Sequence, residues 1–214
     1  VQGKMKPSVA LAIGSACLLG AALIGAYFLS YLFYPLFLIF LYGLVAMCLY
    51  SPVLSKIPAV SEIIAGTGFG FMGLGTYVTQ ARVIDQTGIS VFVPVSILVG
   101  LLLFLNEFPD AEADKASGRR HVVILAGKRT SAWIYVGGLI ATYVSILLSI
   151  ALKAAPYTVL VSLVTIPIAY KAGRITIRNY DRGPELIPAL ASNVMVVLLT
   201  ILLIAVGFVI ASYL

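Results

Sequence analysis

Three oxygen-bearing side chains recur at a fixed spacing in the most charged stretch of the chain. They are Asn106, Asp110 and Asp114, at positions i, i+4 and i+8. If the stretch is helical, this spacing places the three side chains along one face, within reach of a single cation. Mg²⁺ prefers hard oxygen ligands and is commonly held by one or two carboxylates together with substrate phosphates. The pattern therefore indicates a magnesium and diphosphate site. On spacing alone, a solvated loop of mixed charge is the alternative.

The composition of the chain is that of a membrane protein. Hydrophobic residues make up 61% of the 214 residues, charged residues make up 10%, and the mean hydropathy is +1.09. These values lie far outside the range of soluble domains. Cys17 and Cys48 lie in apolar runs and show neither a disulfide framework nor a metal-ligand spacing. We predict an all-α polytopic bundle that forms a single transmembrane domain over residues 1–214.

Seven apolar segments are long enough to be the membrane helices of this bundle. The fourth runs directly into the acidic stretch, so the predicted ligands lie at the membrane–water boundary, where an ionised side chain costs less than at the bilayer centre. None of the seven contains a charged residue. The third is rich in glycine, which favours close helix packing in lipid, with a cavity wall as the alternative. The predicted spans are 8–30, 31–51, 63–80, 89–105, 131–152, 155–170 and 187–214.

Seven spans place the loops alternately on two faces of the membrane, and the basic residues are distributed unevenly between these faces. Of the 14 Lys and Arg residues, 12 fall on one face, and the other face holds only Arg82 and Lys153. Because cytoplasmic loops carry the excess of basic residues, we assign the rich face to the cytoplasm. All acids except Asp85 lie there too. Three loops, at 50–62, 106–129 and 171–185, are predicted to form a charged mouth on this face.

Lipid anchoring alone explains only part of this charge. Juxtamembrane Lys and Arg attract anionic lipid at about 1 kcal/mol each. Asp110 and Asp114 would repel the same headgroups unless a divalent cation inverts the local charge. His121 is the only histidine, which excludes zinc sites built on several imidazoles, and we interpret it as a loop residue. No phosphate-binding Gly-x-x-x-x-Gly-Lys-Ser/Thr motif occurs. A transporter or lipid-binding membrane protein remains the alternative from another class.

Three stretches of the sequence match motifs of a known family. The first is Asn106-x-x-x-Asp110-x-x-x-Asp114, followed by Lys115-Ala-Ser-Gly118 and Leu125-Ala-Gly127. The second is Tyr50-Ser51 with Lys56 and Glu62, and the third is Leu74-Gly-Thr-Tyr77-Val-Thr-Gln80. Together they resemble the UbiA superfamily of membrane prenyltransferases, whose second aspartate-rich motif has the form of the first stretch. The third stretch, and Asn106, fit best the menaquinone-pathway branch that prenylates 1,4-dihydroxy-2-naphthoate.

This resemblance implies Mg²⁺-dependent transfer of an isoprenyl group from an isoprenyl diphosphate to an aromatic acceptor in the bilayer. The metal and basic side chains would neutralise the departing diphosphate. The implied catalytic residues are Asp110, Asp114 and Tyr50, the last because an aromatic ring attracts a developing cation. The implied metal ligands are Asn106, Asp110 and Asp114. The implied substrate-binding residues are Ser51, Lys56, Tyr77, Gln80, Lys115 and Arg119.

The acceptor and the completeness of the site are the open points. A glycerol-phosphate lipid, 4-hydroxybenzoate and a porphyrin-like ring remain alternative acceptors, and we expect no nucleic-acid partner. The implied setting is the plasma membrane of a prokaryote. The family has nine helices and two aspartate-rich motifs, of which only the second is found here. Because 2–11 resembles the segment after the first motif, we expect the chain to begin after two helices and these residues alone to be inactive.

Overall fold

The computed structural model describes residues 6–30 and 34–214. Within these ranges the chain is helical and contains no strand, which confirms the predicted all-α class. Two 3-10 segments, Leu54–Lys56 and Tyr157–Thr165, supplement the α-helices, and the second leads directly into α7. The α-helices are α1 (Pro7–Ser30), α2 (Tyr34–Leu49), α3 (Val60–Ala81), α4 (Gln86–Ala116), α5 (Val122–Ala126), α6 (Lys128–Ala151), α7 (Ile166–Asn179) and α8 (Gly183–Ala211).

Each of the seven predicted spans falls on a helical segment of the described chain, although residues 31–33 at the start of the second lie outside it. Within residues 6–30 and 34–214, five segments are long and apolar enough to cross a membrane. These are Pro7–Phe28, Gln86–Ala116, Lys128–Ala151, Tyr157–Asn179 and Gly183–Ala211. Of the other two, α2 is apolar and spans 16 residues within the described part of the chain. Helix α3 has 22 residues, and its glycines and polar residues make it less apolar.

Two predicted boundaries are wrong. Helix α4 continues to Ala116, well past the predicted end at residue 105, so the acidic stretch is helical as its spacing requires. Helix α7 continues to Asn179, so most of the loop predicted at 171–185 is helix. Ala and Glu in the extension of α4, and Lys and Arg in that of α7, are good helix formers, and long charged side chains let a helix continue while their charged groups reach towards water. Charge therefore marked the end of the apolar segment but not the end of the helix.

The core of the bundle is built by α4, α6 and α8. Tyr135 of α6 is fully buried, and its hydroxyl donates a hydrogen bond to Asn193 Oδ1 of α8 at 2.9 Å. The Asn193 side-chain amide donates to the carbonyl oxygen of Leu101 in α4 at 3.3 Å. Since polar groups in an apolar interior need partners, this chain of bonds fixes the three helices relative to one another.

Helix α3 packs closely against α4 through glycines. A Cβ atom on Gly66 would lie 2.2 Å from the backbone oxygen of Ser96, and one on Gly100 would lie 3.1 Å from the backbone oxygen of Glu62. The predicted packing role is thus confirmed for Gly66, whereas Gly68 and Gly73 have nothing within 4 Å. The close antiparallel approach brings the start of α3 beside the charged end of α4.

A charged cavity at the end of α4

A cavity of about 260 Å³ lies at the carboxyl-terminal end of α4. Asn106 and Asp110 are exposed on its wall, and Asp114 is half-buried. The helical spacing predicted from the sequence therefore places these three side chains in one cavity. Most of the other predicted site residues join them there: Tyr50, Ser51, Lys56 and Arg119.

The turn after α4 folds Arg119 back towards the acids. Ser117 Oγ donates to the backbone oxygen of Asp114 at 2.8 Å, and the Arg119 backbone N–H donates to the same oxygen at 3.0 Å. Gly118 has φ +83°, a left-handed conformation that favours glycine. As a result, Arg119 Nη1 lies 3.4 Å from Asp114 Oδ2. The ion pair is partly exposed, so it positions the guanidinium more than it stabilises the fold.

The opposite wall comes from the segment between α2 and α3. The Ser55 backbone N–H donates to the Tyr50 carbonyl at 2.8 Å, and a 3-10 turn ends at Lys56. This compact turn places a phenol, a hydroxyl and an ammonium group beside the acids of α4. Burial raises the pKa of Tyr50, and the negative charge of Glu107 raises it further, so the phenol is neutral at pH 7.

Below these residues lies a buried cluster in which Glu62, a residue of the second family motif, meets two residues that the sequence does not predict to join the site. Glu62, Glu107 and His121 are only 7%, 8% and 2% exposed. His121 does lie in the loop before α5, as predicted, but its ring points inward. Its Nδ1 atom is 3.3 Å from Glu107 Oε2, and its Nε2 atom is 3.3 Å from Asp114 Oδ2. Glu62 accepts a hydrogen bond from Ser61 Oγ.

Several atoms of this buried cluster have no hydrogen-bond partner. Neither ring nitrogen of His121 meets the geometry of a hydrogen bond, and Glu62 Oε1 and Glu107 Oε2 are also unpaired. Burial lowers the pKa of His121, and the negative charges of Asp114 and Glu62 oppose this effect. An unpaired buried polar group costs about 1–3 kcal/mol. The base of the cavity is therefore suited to a polar or cationic ligand.

The donor set fits a magnesium ion that is shared with a phosphorylated ligand. Asn106, Asp110 and Asp114 offer hard oxygen donors on one wall. Among the described residues, no group of three or more His, Cys, Asp or Glu side chains is arranged to hold a metal ion by itself. Mg²⁺ does not require such a group, because it usually takes one or two carboxylates and completes its shell with water and substrate phosphates.

Three predicted substrate-binding residues do not line the charged cavity. Lys115 is exposed on α4. Tyr77 follows Glu62 by 15 residues, or about 22 Å along a helix at about 1.5 Å per residue, and its hydroxyl donates to Asp85 Oδ2 at 2.8 Å. Gln80 borders a separate groove between α1, α2 and α3. The acceptor contacts predicted for Tyr77 and Gln80 therefore stay predictions, at the opposite end of α3.

The fold and the cavity define an integral membrane protein with several helices and a charged site at one end of its bundle. Residues 1–194 match the UbiA prenyltransferase family, and the chain belongs to this family. The family resemblance inferred from the motifs is thus confirmed.

Two curated relatives carry the same description. The 1,4-dihydroxy-2-naphthoate octaprenyltransferase of Bacillus subtilis (strain 168) is 26% identical over 182 residues, which cover 84% of this chain and 58% of the relative. The enzyme of that name from Mycobacterium leprae (strain TN) is 31% identical over 130 residues, which cover 60% of this chain and 43% of the relative. The chain thus spans about half the length of the curated relatives it matches. No solved structure matches it.

Proposed function

We propose that the protein containing this chain transfers an isoprenyl group from its diphosphate to an aromatic acceptor, with magnesium, in menaquinone biosynthesis. One observation carries the proposal: the oxygen donors of α4 and the basic side chains Lys56 and Arg119 line the same cavity. The family membership and the names of the two relatives support the reaction type and the acceptor, 1,4-dihydroxy-2-naphthoate.

The diphosphate end of the donor would bind in the charged cavity. Lys56 and Arg119 approach it from opposite walls and would contact its oxygens, while Asn106, Asp110 and Asp114 would hold Mg²⁺. Bound Mg²⁺ supplies Lewis-acid stabilisation of the negative charge on the leaving group. When the carbon–oxygen bond of the donor breaks, the electron pair leaves with the diphosphate. Fixed positive groups lower the barrier because they require no reorganisation as that charge develops.

The carbon end of the donor would face Tyr50 and an apolar groove. The neutral phenol ring of Tyr50 would stabilise the allylic cation that forms at the severed carbon. A groove of about 320 Å³ begins at Glu62 and runs between α3 and α4 past Gly100 and Phe104. It starts beside the charged cavity and is almost wholly apolar, so we assign the prenyl tail to it. The basic face of the bundle would be cytoplasmic.

The test compares neighbouring acids of α4 that do and do not line the cavity. The native protein in liposomes is given Mg²⁺, an isoprenyl diphosphate and 1,4-dihydroxy-2-naphthoate, and prenylated product is quantified. We expect Asp110→Ala and Asp114→Ala each to lower the rate by about 100-fold, the typical loss for a group that stabilises transition-state charge. Glu112→Ala is the matched control, because Glu112 is exposed between them and does not line the cavity.

Two results would contradict this assignment. If Asp110→Ala and Asp114→Ala both retain full transfer while the protein stays folded, the aspartates do not hold the metal. If chelation by EDTA leaves the rate unchanged, the reaction does not depend on Mg²⁺. Transfer to 4-hydroxybenzoate or glycerol phosphate, but not to the naphthoate, would keep the reaction class and correct the acceptor.

A further inference from the structure

A second cavity lies between α6 and α7, away from the charged cavity. It measures about 380 Å³ and its walls are almost wholly apolar, with Val136 and Ile140 on α6 and Ala169 on α7. Gly173 forms part of its floor, since a Cβ atom there would lie 3.1 Å from Val136 Cγ2. We call this cavity the α6–α7 groove. It shares no lining residue with the charged cavity, so the proposed transfer reaction does not account for it.

One end of the α6–α7 groove carries two arginines. Arg174 and Arg178 are one helical turn apart on α7, both are exposed, and both line the groove. In the described part of the chain, neither makes an ion pair with an acid, because the neighbouring Glu185 pairs with Arg182 at 3.3 Å. Two guanidinium groups on one helix face repel each other unless an anion lies between them. The site thus combines an apolar channel with an uncompensated positive end.

The depth of the groove matches one leaflet of a bilayer. Helix α6 begins at Lys128 and α7 ends at Asn179, so these two helix ends lie on the same side of the bundle as the charged cavity. The groove extends along α7 from Arg178 to Ile166, which is about 18 Å at about 1.5 Å per residue. The hydrocarbon core of a bilayer is about 30 Å thick, so one leaflet contributes about 15 Å.

We propose that the α6–α7 groove binds an anionic glycerophospholipid. One acyl chain lies in the apolar channel, and the headgroup phosphate accepts hydrogen bonds from Arg174 and Arg178. Arginine binds phosphate oxygens in a two-pronged geometry, and basic pockets between membrane helices on this side recognise anionic headgroups. A zwitterionic lipid fits less well, because its ammonium group would be repelled by the two guanidinium groups. This lipid site is separate from the proposed donor site and does not depend on the transfer reaction.

Binding is measured by native mass spectrometry of the delipidated native protein after addition of dioleoyl phosphatidylglycerol or dioleoyl phosphatidylcholine. The parent is expected to retain the phosphatidylglycerol preferentially. The variant Arg174→Gln/Arg178→Gln should bind it at least about tenfold more weakly. The control Arg120→Gln/Arg129→Gln removes two exposed cations on the same face that do not line the groove, and it should bind like the parent.

A second variant tests the apolar channel. Ile140 is 60% exposed and lines the groove, so Ile140→Trp fills the channel with little effect on the core. It should also release phosphatidylglycerol. Equal retention of the two lipids, unchanged binding by the arginine variant, or equal loss in the control would overturn the proposal. Arginine-dependent binding of farnesyl diphosphate without binding of phosphatidylglycerol would also overturn it, since the occupant would then be a prenyl donor.

Discussion

The Nε2 atom of His121 lies 3.3 Å from the Oδ2 atom of Asp114. On its other side, the same buried ring approaches Glu107 at 3.3 Å. Burial lowers the pKa of His121, so the imidazole is neutral at pH 7 and has one donor and one acceptor nitrogen. Neither 3.3 Å approach meets hydrogen-bond geometry, but the ring lies against Asp114 and can donate to one carboxylate. His121 is therefore placed to orient Asp114 from behind the cavity.

Replacement of His121 should lower the affinity for the metal more than it lowers the stability of the fold. Groups that orient a metal ligand typically contribute about 10–100-fold to metal affinity or activity. We expect His121→Ala to raise the Mg²⁺ concentration needed for half-maximal transfer by about tenfold or more, and His121→Gln, which keeps a polar side chain, to lose less. Mn²⁺ binding followed by electron paramagnetic resonance checks the same loss without relying on activity.

The outcome that would contradict this role is specific. If His121→Ala binds Mn²⁺ like the parent but unfolds at a much lower temperature, His121 serves only the packing of the loop before α5. Arg120→Gln is a suitable control, since it alters the adjacent exposed residue, which does not line the cavity.

Replacement of Glu107 by glutamine should stabilise the protein. Glu107 is buried, its Oε2 atom is unpaired, and Glu62 and Asp114 act on it as like charges. At pH 7 the native fold must either keep this carboxyl charged among like charges or protonate it at a cost, whereas a neutral amide of nearly the same shape avoids both and adds two N–H donors next to carboxylates. We expect Glu107→Gln to increase the free energy of unfolding by about 1 kcal/mol, the scale of a satisfied buried hydrogen bond. Thermal unfolding in detergent measures the change.

The matched control is again on α4. Glu112→Gln changes an exposed acid in the same way, and exposed charges contribute little, so its melting temperature should stay close to that of the parent. A lower melting temperature for Glu107→Gln would show that the carboxylate is needed by a partner such as a protonated His121.

The part of the cavity that the sequence predicts is the part encoded locally. Asn106, Asp110 and Asp114 lie on one helix, and their spacing alone defines a shared face. Only the family motif assigns Tyr50 and Lys56 to the site, because nothing in their own spacing indicates that they lie near α4. The sequence shows which segments are apolar for the same local reason. It therefore predicts the helical class and the approximate position of each span.

The buried cluster could not be found in this way. Glu62 and Glu107 are far apart in the sequence and meet because glycines let α3 approach α4. His121 depends on the reversal at Gly118, whose effect on the ring direction is not visible in the sequence. One signal was available: the single histidine of the chain follows an acidic stretch directly. The extent of α7 was missed because hydropathy separates apolar from charged residues, not helix from loop.

Glycines of α3 should differ sharply in their tolerance of alanine. A Cβ atom on Gly66 would lie 2.2 Å from a backbone oxygen of α4 that no side-chain rotation can move, so Gly66→Ala must push the helices apart. We expect a loss of about 1–3 kcal/mol in the free energy of unfolding, the usual cost of overpacking. Gly68→Ala meets nothing within 4 Å and should be neutral or stabilising by up to about 1 kcal/mol through helix propensity. Equal melting temperatures for the two variants would contradict the close α3–α4 packing.

We expect Tyr77 to stabilise the fold by supporting the residue that caps the start of α4. Asp85 caps that helix: its Oδ1 accepts from the Gly88 backbone N–H at 3.1 Å, and its Oδ2 accepts from the Tyr77 hydroxyl at 2.8 Å. These bonds, the backbone bond first, lower the pKa of Asp85. Because the folded pKa lies below the unfolded value of about 3.9, the contribution is complete above that pH and is lost as the pH falls through the folded pKa.

Three variants separate the cap from the charge and from the acceptor contact predicted for Tyr77. Asp85→Ala should lower the melting temperature at pH 7, whereas Asp85→Asn keeps a capping oxygen and should lose less. The difference in melting temperature between the parent and Asp85→Ala should shrink as the pH falls below about 4, since protonation weakens the native cap. Tyr77→Phe should also melt lower, with an unchanged KM for the aromatic acceptor. A raised acceptor KM without a change in melting temperature would instead place Tyr77 at the acceptor, because a hydroxyl that only supports Asp85 has no route to substrate affinity.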